Sequence, residues 1–217
     1  LVMIPKGWVH GQLSNLVIFN PTLKLPKNSE VSFTEMAALP TEGHQIDKPF
    51  KRPFSSGAKF QNGDTLFARI TPCLENGKTG LVDYLGEGEV GGGSTEFIVM
   101  RPTDKTPHLL PYIIARNEDF RAHAEHFMTG TSGRQRVDWK DLARYPITYS
   151  EKALQAFESV TGSFAGQLKI NRQLSSTLSE DRDGLLPRLI SGKLRIEEAE
   201  EAVSEALGPS TVEEKAA

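Results

Sequence analysis

Residues Ser150 to Gly184 read SEKALQAFES VTGSFAGQLK INRQLSSTLS EDRDG. Counted from Phe157 in alternating steps of three and four, Phe157, Val160, Phe164, Gln167, Asn171, Leu174, Leu178, Asp181 and Leu185 fall on one line, and six of the nine are apolar. Side chains so spaced share one face of an α-helix, and a stripe of large apolar groups at this period is the seam of two paired helices. Ser150 suits the N-cap, Glu151 suits the positive end of the helix dipole, and Gly184 followed by Pro187 predicts a stop or kink. At about 1.5 Å per residue the rod is about 50 Å long. No other stretch predicts a helix of that length, so the partner helix is expected on another chain or on a missing half of this one. The alternative is that the rod lies across its own globular part. Asn171, polar in mid-seam, can fix the register of a pair. Gly162 and Gly166 each cost about 1 kcal/mol in a helix, which close helix approach or a docked partner would offset.

The 217-residue chain is 38% hydrophobic and 24% charged, an ordinary globular composition with room for one domain plus an appendage or for two small domains. No run approaches the 18 or more apolar residues of a membrane span, and Leu1 to Trp8 lacks the parts of a signal peptide. The start at Leu1 rather than Met predicts a processed, tagged or truncated chain. A single cysteine, Cys73, allows no internal disulfide and fits a reducing cytoplasm. The net charge of -3 is unevenly spread. Residues 1–150 carry 17 Lys and Arg against 16 Asp and Glu, and residues 151–217 carry 8 against 12, so the front is +1 and the back -4. A nearly neutral front can still present a basic face if its charges are sorted by side. Glu197, Glu198, Glu200, Glu201 and Glu205 predict a short solvated helix, with Gly208 to Ala217 disordered. The expected division is a globular domain over 1–149, a long helix over 150–196 and an acidic tail over 197–217.

Within the front, Pro5 to Gly7 predicts a turn into a first strand with Trp8 in the core. Asn20 to Asn28 predicts an exposed loop. Val31 to Leu39 reads as a strand turning into one helical turn. Gly43 to Phe60, with Pro49, Pro53 and Gly57 among Lys48, Lys51, Arg52 and Lys59, predicts a long basic loop and a first contact surface. Thr65 to Ile70 and Thr79 to Tyr84 read as a hairpin, and Phe97 to Arg101 as a further strand. His108 to Arg116 and Glu118 to Phe127 read as helices broken near Asn117. Strands and helices in no strict alternation make the fold α+β, a mixed α/β domain with a twisted sheet followed by a long C-terminal coiled-coil helix.

Catalysis finds little support in the residues. His123 and His126 lie three apart on a helix but have no third ligand nearby, so no metal is expected. Cys73 has no histidine placed to make it a thiolate. Gly91-Gly92-Gly93-Ser94 lacks the Gly-Lys-Ser/Thr ending of a phosphate cradle and reads as a flexible turn or a place of close ligand approach. Asn20-Pro21-Thr22 departs from the Asn/Asp-Pro-Pro-aromatic motif of amino-methyltransferases. Binding is better supported. Arg69, Asn76 and Lys78 flank one hairpin, and Thr131, Ser132, Arg134, Gln135 and Arg136 fill another loop. Arginine holds guanine by two hydrogen bonds, Asn and Gln suit adenine, and hydroxyls with glycine N–H groups suit phosphates. The plain alternative is that these loops are solvated turns.

Three blocks carry a resemblance: Gly63-Asp64-Thr65 through Asn76-Gly77-Lys78, Ser94-Thr95-Glu96-Phe97-Ile98-Val99, and Thr129-Gly130-Thr131 through Arg134-Gln135-Arg136-Val137. In this order, and followed by Leu185-Leu186-Pro187-Arg188-Leu189-Ile190-Ser191-Gly192-Lys193-Leu194, they resemble a target-recognition domain and spacer helix of the specificity subunit of type I restriction-modification systems. The likeness runs to about Ile196. It implies a non-catalytic subunit that reads a split site on double-stranded DNA. It also implies a methyltransferase subunit using S-adenosylmethionine and a motor-nuclease restriction subunit as partners, with no cofactor of its own. Full-length members carry two recognition domains and two antiparallel spacer helices. The sequence given holds one of each, which leaves open a fragment or a natural half-subunit. Pairing of two copies through Phe157, Val160, Phe164, Asn171, Leu174, Leu178 and Leu185 is expected, the same face being used twice. Such a pair would read an inverted repeat, and a rod of about 50 Å corresponds to roughly 15 base pairs at about 3.4 Å each. Lys51, Arg52, Lys59, Arg69, Asn76, Lys78, Thr131, Ser132, Arg134, Gln135 and Arg136 are the expected DNA-contacting residues. Two other readings stand beside this one: the recognition fragment of a fused methyltransferase-nuclease, and a coiled-coil interaction protein without DNA binding.

Overall fold

The structure is a computed structural model and describes residues 4–192, apart from 48 and 132. The expected tail over 197–217, and Leu194 and Ile196, lie outside the described residues. Nine strands come first: β1 (Val9–Gln12), β2 (Val17–Phe19), β3 (Glu30–Thr34), β4 (Phe50–Pro53), β5 (Ala58–Phe60), β6 (Thr65–Ala68), β7 (Thr79–Leu81), β8 (Gly91–Gly93) and β9 (Phe97–Pro102). The helices α1 (Leu110–Arg116), α2 (Glu118–His126) and α3 (Trp139–Ala143) follow, and β10 (Pro146–Tyr149) leads into α4 (Glu151–Ile190). The chain divides into two compact units, Leu1–Gly166 and Gln167–Ala217, so the first turns of α4 belong with the globular part.

The mixed α+β class expected from the sequence is present, with the strands in three sheets. One has the order β2-β9-β6-β7, a second has the order β4-β3-β8-β5, and β1 pairs with β10 as a ribbon. Every pairing is antiparallel except β3 with β8, where Phe33 lies beside Gly92. Both faces of the first sheet are covered, which is why β6 and β9 read as unbroken apolar runs. Phe67, Ile98 and Met100 pack with Ala115, Phe120, Ala124 and Leu142 of the three short helices. On the opposite face Leu66, Phe97 and Val99 pack with Phe60, Leu39 and Ile46. Val31, Phe33 and Phe54 form a smaller third cluster.

The helix breaks have local causes. Asn117 ends α1 and caps α2, its Oδ1 accepting the Phe120 N–H at 3.1 Å. Ser150 Oγ accepts the Ala153 N–H at 3.1 Å, the N-cap expected for α4.

Four expectations are corrected. Trp8 is 40% exposed rather than in the core, because β1 is a solvated edge that pairs only with β10. The basic stretch between Gly43 and Phe60 is not one loop but holds β4 and β5, strands with no apolar alternation of their own that are ordered by pairing to β3 and β8. The three glycines are buried strand β8, not a flexible turn. A Cβ on Gly92 would come within 2.8 Å of the Phe54 ring, and one on Gly93 within 2.9 Å of both Phe60 and Phe97, so aromatic rings fill the space that side chains would take. Finally, of the stop or kink expected at Gly184 and Pro187, the stop is absent from α4. The helix runs 40 residues, about 60 Å at 1.5 Å per residue, with Pro187 inside it, and ends where Gly192 adopts a φ of 68°.

Candidate nucleic-acid interface

Two of the expected loops are stitched together by backbone. Arg69 follows β6 and donates its N–H to the Glu96 carbonyl at 3.0 Å, while its own carbonyl accepts the Val137 N–H at 3.0 Å. Thr71 donates to the Gln135 carbonyl at 3.1 Å, and Gln135 N–H returns to Thr71 Oγ1 at 3.1 Å. Arg136 sits in bridges to both Ile70 and Thr129, and the tip between is a tight turn in which the Arg134 N–H reaches the Thr131 carbonyl at 2.9 Å. Arg69, Arg134, Gln135 and Arg136, far apart in sequence, therefore stand side by side, with Thr131 and Arg134 exposed. Ser132 lies outside the described residues.

Their charges are not equivalent. Arg136 grips the Glu96 carboxylate, Nη2 donating to Oε1 at 2.7 Å and Nε to Oε2 at 2.9 Å. That hydrogen bond, and then the fields of Arg136 and Arg69, hold the Glu96 carboxyl below the usual carboxylate range against a smaller desolvation effect. Arg69 has no such clasp. Its Nε is buried without an acceptor among the described residues, and such a group ordinarily costs about 1–3 kcal/mol. Arg134 is the solvent-facing cation of the cluster.

The other expected cations scatter. Lys51 and Arg52 lie on β4 at one edge of their sheet and Lys59 on β5 at the opposite edge, although the three are neighbours in sequence. Lys51 Nζ donates to Glu89 Oε1 at 2.8 Å, and Arg52 stacks 4.1 Å over the Phe33 ring. Lys59 Nζ donates to the Leu23 carbonyl at 3.1 Å. Lys78 Nζ is held by the Met36 carbonyl at 2.9 Å, which ties it to the turn after β3, while Asn76 is exposed. Lys51, with the Ser32 hydroxyl at 2.6 Å, pulls the Glu89 carboxyl down to about 2. A carboxyl depressed in the fold stabilises above its unfolded pKa near 4.5, and this stability is lost as pH falls towards about 2. The Glu89→Gln variant should therefore be less stable than the wild type at pH 6 and converge with it in acid, read as melting temperature against pH.

A cleft of about 360 Å³ opens where β5 faces β9. Arg69 and Lys59 line it from two sheets, and Asn20, Thr22 and Thr95 join them. These last three escaped the sequence reading as site residues. The one available signal was Asn20-Pro21: Asn20 holds a φ of 46°, and its Oδ1 accepts the Val99 N–H at 2.9 Å. His123 packs its ring 5.0 Å from Tyr145 and 4.7 Å from Phe127. No group of three or more His, Cys, Asp or Glu able to hold a metal occurs among the described residues. Among the same residues no helix is long and apolar enough to cross a membrane.

No family model matches the chain. It is 30% identical, over 178 residues, to the EcoEI specificity subunit of a type I restriction enzyme from Escherichia coli, the match covering 79% of this chain and 29% of that protein. Over that stretch the chain is similar to the specificity subunit of a type I restriction enzyme. The EcoAI specificity subunit of the same organism is 29% identical over 177 residues, covering 79% of this chain and 30% of that one. The chain thus spans about three-tenths of the length of the curated relatives it matches. Its fold matches a chain from a structure of the assembly and conformational transition of a type I R-M system, with a TM-score of 0.55 at 17% identity over 90% of this chain and 52% of that one. It also matches the HsdS subunit of Thermoanaerobacter tengcongensis, with a TM-score of 0.54 at 18% identity over 84% of this chain and 48% of that one.

Proposed function

We propose that the chain is the non-catalytic DNA-sequence-recognition component of a type I restriction-modification complex. It reads double-stranded DNA while a methyltransferase subunit carrying S-adenosylmethionine modifies adenine and a motor-nuclease subunit cleaves. Such an assembly works on DNA in the cytoplasm. The observation that carries the reading is the joined loop pair, in which Arg136 holds the Glu96 carboxylate, Arg69 acts on the same carboxylate through its field, and Arg134 stands exposed on the loop. A cation-rich loop on a nearly neutral domain is a local grip rather than a general polyanion surface, which suits a subunit that docks with others on one duplex. The stripe on α4 supports pairing with a second copy, so that two recognition domains read the halves of a bipartite site.

The test separates the two loop arginines. Arg134→Ala, which removes an exposed cation, is expected to weaken duplex binding of the complex assembled with its methyltransferase subunit by roughly tenfold and to leave the melting temperature in place. Arg136→Ala removes the partner of Glu96 and is expected to lower both affinity and melting temperature. Measured by electrophoretic shift at two salt concentrations, unchanged affinity and salt dependence in Arg134→Ala would take this loop out of the DNA interface. A wild-type complex that ignores DNA altogether would leave the coiled-coil interaction reading.

A further inference from the structure

We propose that the cleft between β5 and β9 is an oxyanion seat that takes one phosphodiester of the DNA backbone, with Arg69 as its principal donor. This rests on the DNA-recognition reading above and adds to it a specific contact and its chemistry. The cleft draws Asn20, Thr22, Lys59, Arg69 and Thr95 together beside apolar Phe97 and Val99, and among the described residues no carboxylate lines it. Each polar side chain there can present N–H or O–H. Asn20 Oδ1 is already taken by the Val99 N–H, which leaves its amide NH₂ as the free end. Lys59 spends one N–H on the Leu23 carbonyl at 3.1 Å and keeps two.

Arg69 is the decisive residue. Among the described residues its buried Nε has no acceptor, so the fold holds a charged donor in a half-buried position and leaves that one N–H unmet. Glu96, the nearby carboxylate that could have filled the need, is claimed instead by three contacts from Arg136 at 2.7, 2.9 and 3.0 Å. Arg136 thus acts as a positioning residue that keeps Arg69 open. A ligand bearing several acceptor oxygens and a negative charge answers every group in the cleft at once. A base edge answers them less well, because adenine and cytosine each offer a donor in the groove, for which this lining holds no carboxylate acceptor. The apolar side chains beside them raise the strength of each charge-assisted bond by excluding water.

Phosphate contacts are independent of sequence, so the test needs no knowledge of the recognised site. The full chain, assembled with its methyltransferase subunit, is titrated onto a fluorescent duplex of arbitrary sequence at several salt concentrations, as wild type, Arg69→Met and Arg69→Lys. Arg69→Met is expected to bind roughly tenfold more weakly and to show a log-affinity against log-salt slope smaller by about 0.9, the signature of one lost phosphate. Arg69→Lys is expected to keep most of the slope while losing affinity, because the charge remains and the planar fork does not. In parallel, inorganic phosphate is added to wild-type protein against chloride at equal ionic strength, and the Arg69 Nε–Hε resonance is followed by NMR, a readout that needs no variant to fold. Movement with phosphate and not with chloride is expected. A folded Arg69→Met with wild-type slope and affinity overturns the proposal even if the chain binds DNA well. If wild type ignores duplex but Arg69 answers phosphate, the cleft is a seat for free phosphate compounds and the DNA contact is overturned. If neither responds, both the seat and the DNA reading fall.

Discussion

Replacing Arg101 by methionine is expected to destabilise the globular unit by about 3–5 kcal/mol, the usual result of leaving a buried charge without its partner. At roughly 2–4 °C per kcal/mol for a unit of this size, the melting temperature should fall by roughly 6–20 °C. The pairing of Thr65 with Met100 sets Asp64 beside Arg101, and the two meet through the side of the guanidinium, Nε donating to Oδ1 and Nη2 to Oδ2, both at 2.6 Å. The Asp64 side chain is 1% exposed, and its second oxygen also accepts the Gln61 N–H at 2.8 Å. Burial pushes its carboxyl up while the Arg101 hydrogen bond pulls it down, with burial the larger effect. Methionine removes the downward pull. The folded carboxyl then binds its proton at a higher pH than the unfolded one, so the deficit should be smallest in acid and grow as pH rises through the raised value. Arg101→Met with Asp64→Leu should recover most of the loss, since apolar replacement of a whole buried pair is often neutral. A single variant melting within 2 °C of wild type would show that water or a nearby group already compensates Asp64.

What could be read from the chain beforehand follows the range of the forces involved. β6 and β9 were legible because burial on both faces leaves an unbroken apolar run, and Asn117 marked a helix break because a cap acts within three residues. The seam of α4 was legible for the same local reason, yet the passage of the helix through Gly184 and Pro187 was not. Gly184 and Pro187 oppose a helix by about 1 and 3 kcal/mol, and the surrounding turns carry it on regardless. The strand β8 was illegible because glycine has no strand preference. Its place is made by Phe54, Phe60 and Phe97, which arrive from elsewhere in the chain. The basic residues were found as residue types but not as a site. Lys51 finds Glu89 and Arg136 finds Glu96, partners 38 and 40 positions away, and only the sheet order shows that Arg69 and Lys59 share a cleft while Lys51 stands at the far edge.

Charging the seam of α4 is expected to abolish pairing of the chain. Val160 is 61% exposed, Phe164 49%, Leu174 50% and Leu178 44%, and Phe157 and Leu185 are half-buried. Ile170, Leu186 and Ile190 add exposed apolar surface along the same helix. Scattered exposed apolar groups are ordinary, but six large apolar side chains among the nine positions spaced three and four apart from Phe157 to Leu185 share one helix face that water disfavours. Burying a leucine gains about 1.5–3 kcal/mol, and in a twofold pair each substitution counts twice. Leu174→Glu with Leu178→Glu should therefore cost a dimer about 6 kcal/mol or more, roughly four decades in dissociation constant. Sedimentation of wild type at micromolar concentration should give twice the chain mass of 23.9 kDa, and the double variant the chain mass alone. The globular unit is expected to melt unchanged, because neither leucine belongs to its buried core. Asn171, exposed and in mid-seam, is where register is tested: Asn171→Leu should tighten association while admitting shifted or higher-order pairings, since a buried amide trades stability for a single alignment. A wild-type chain that sediments as a monomer at these concentrations would remove the paired-copy arrangement and leave the stripe to a helix of a different chain.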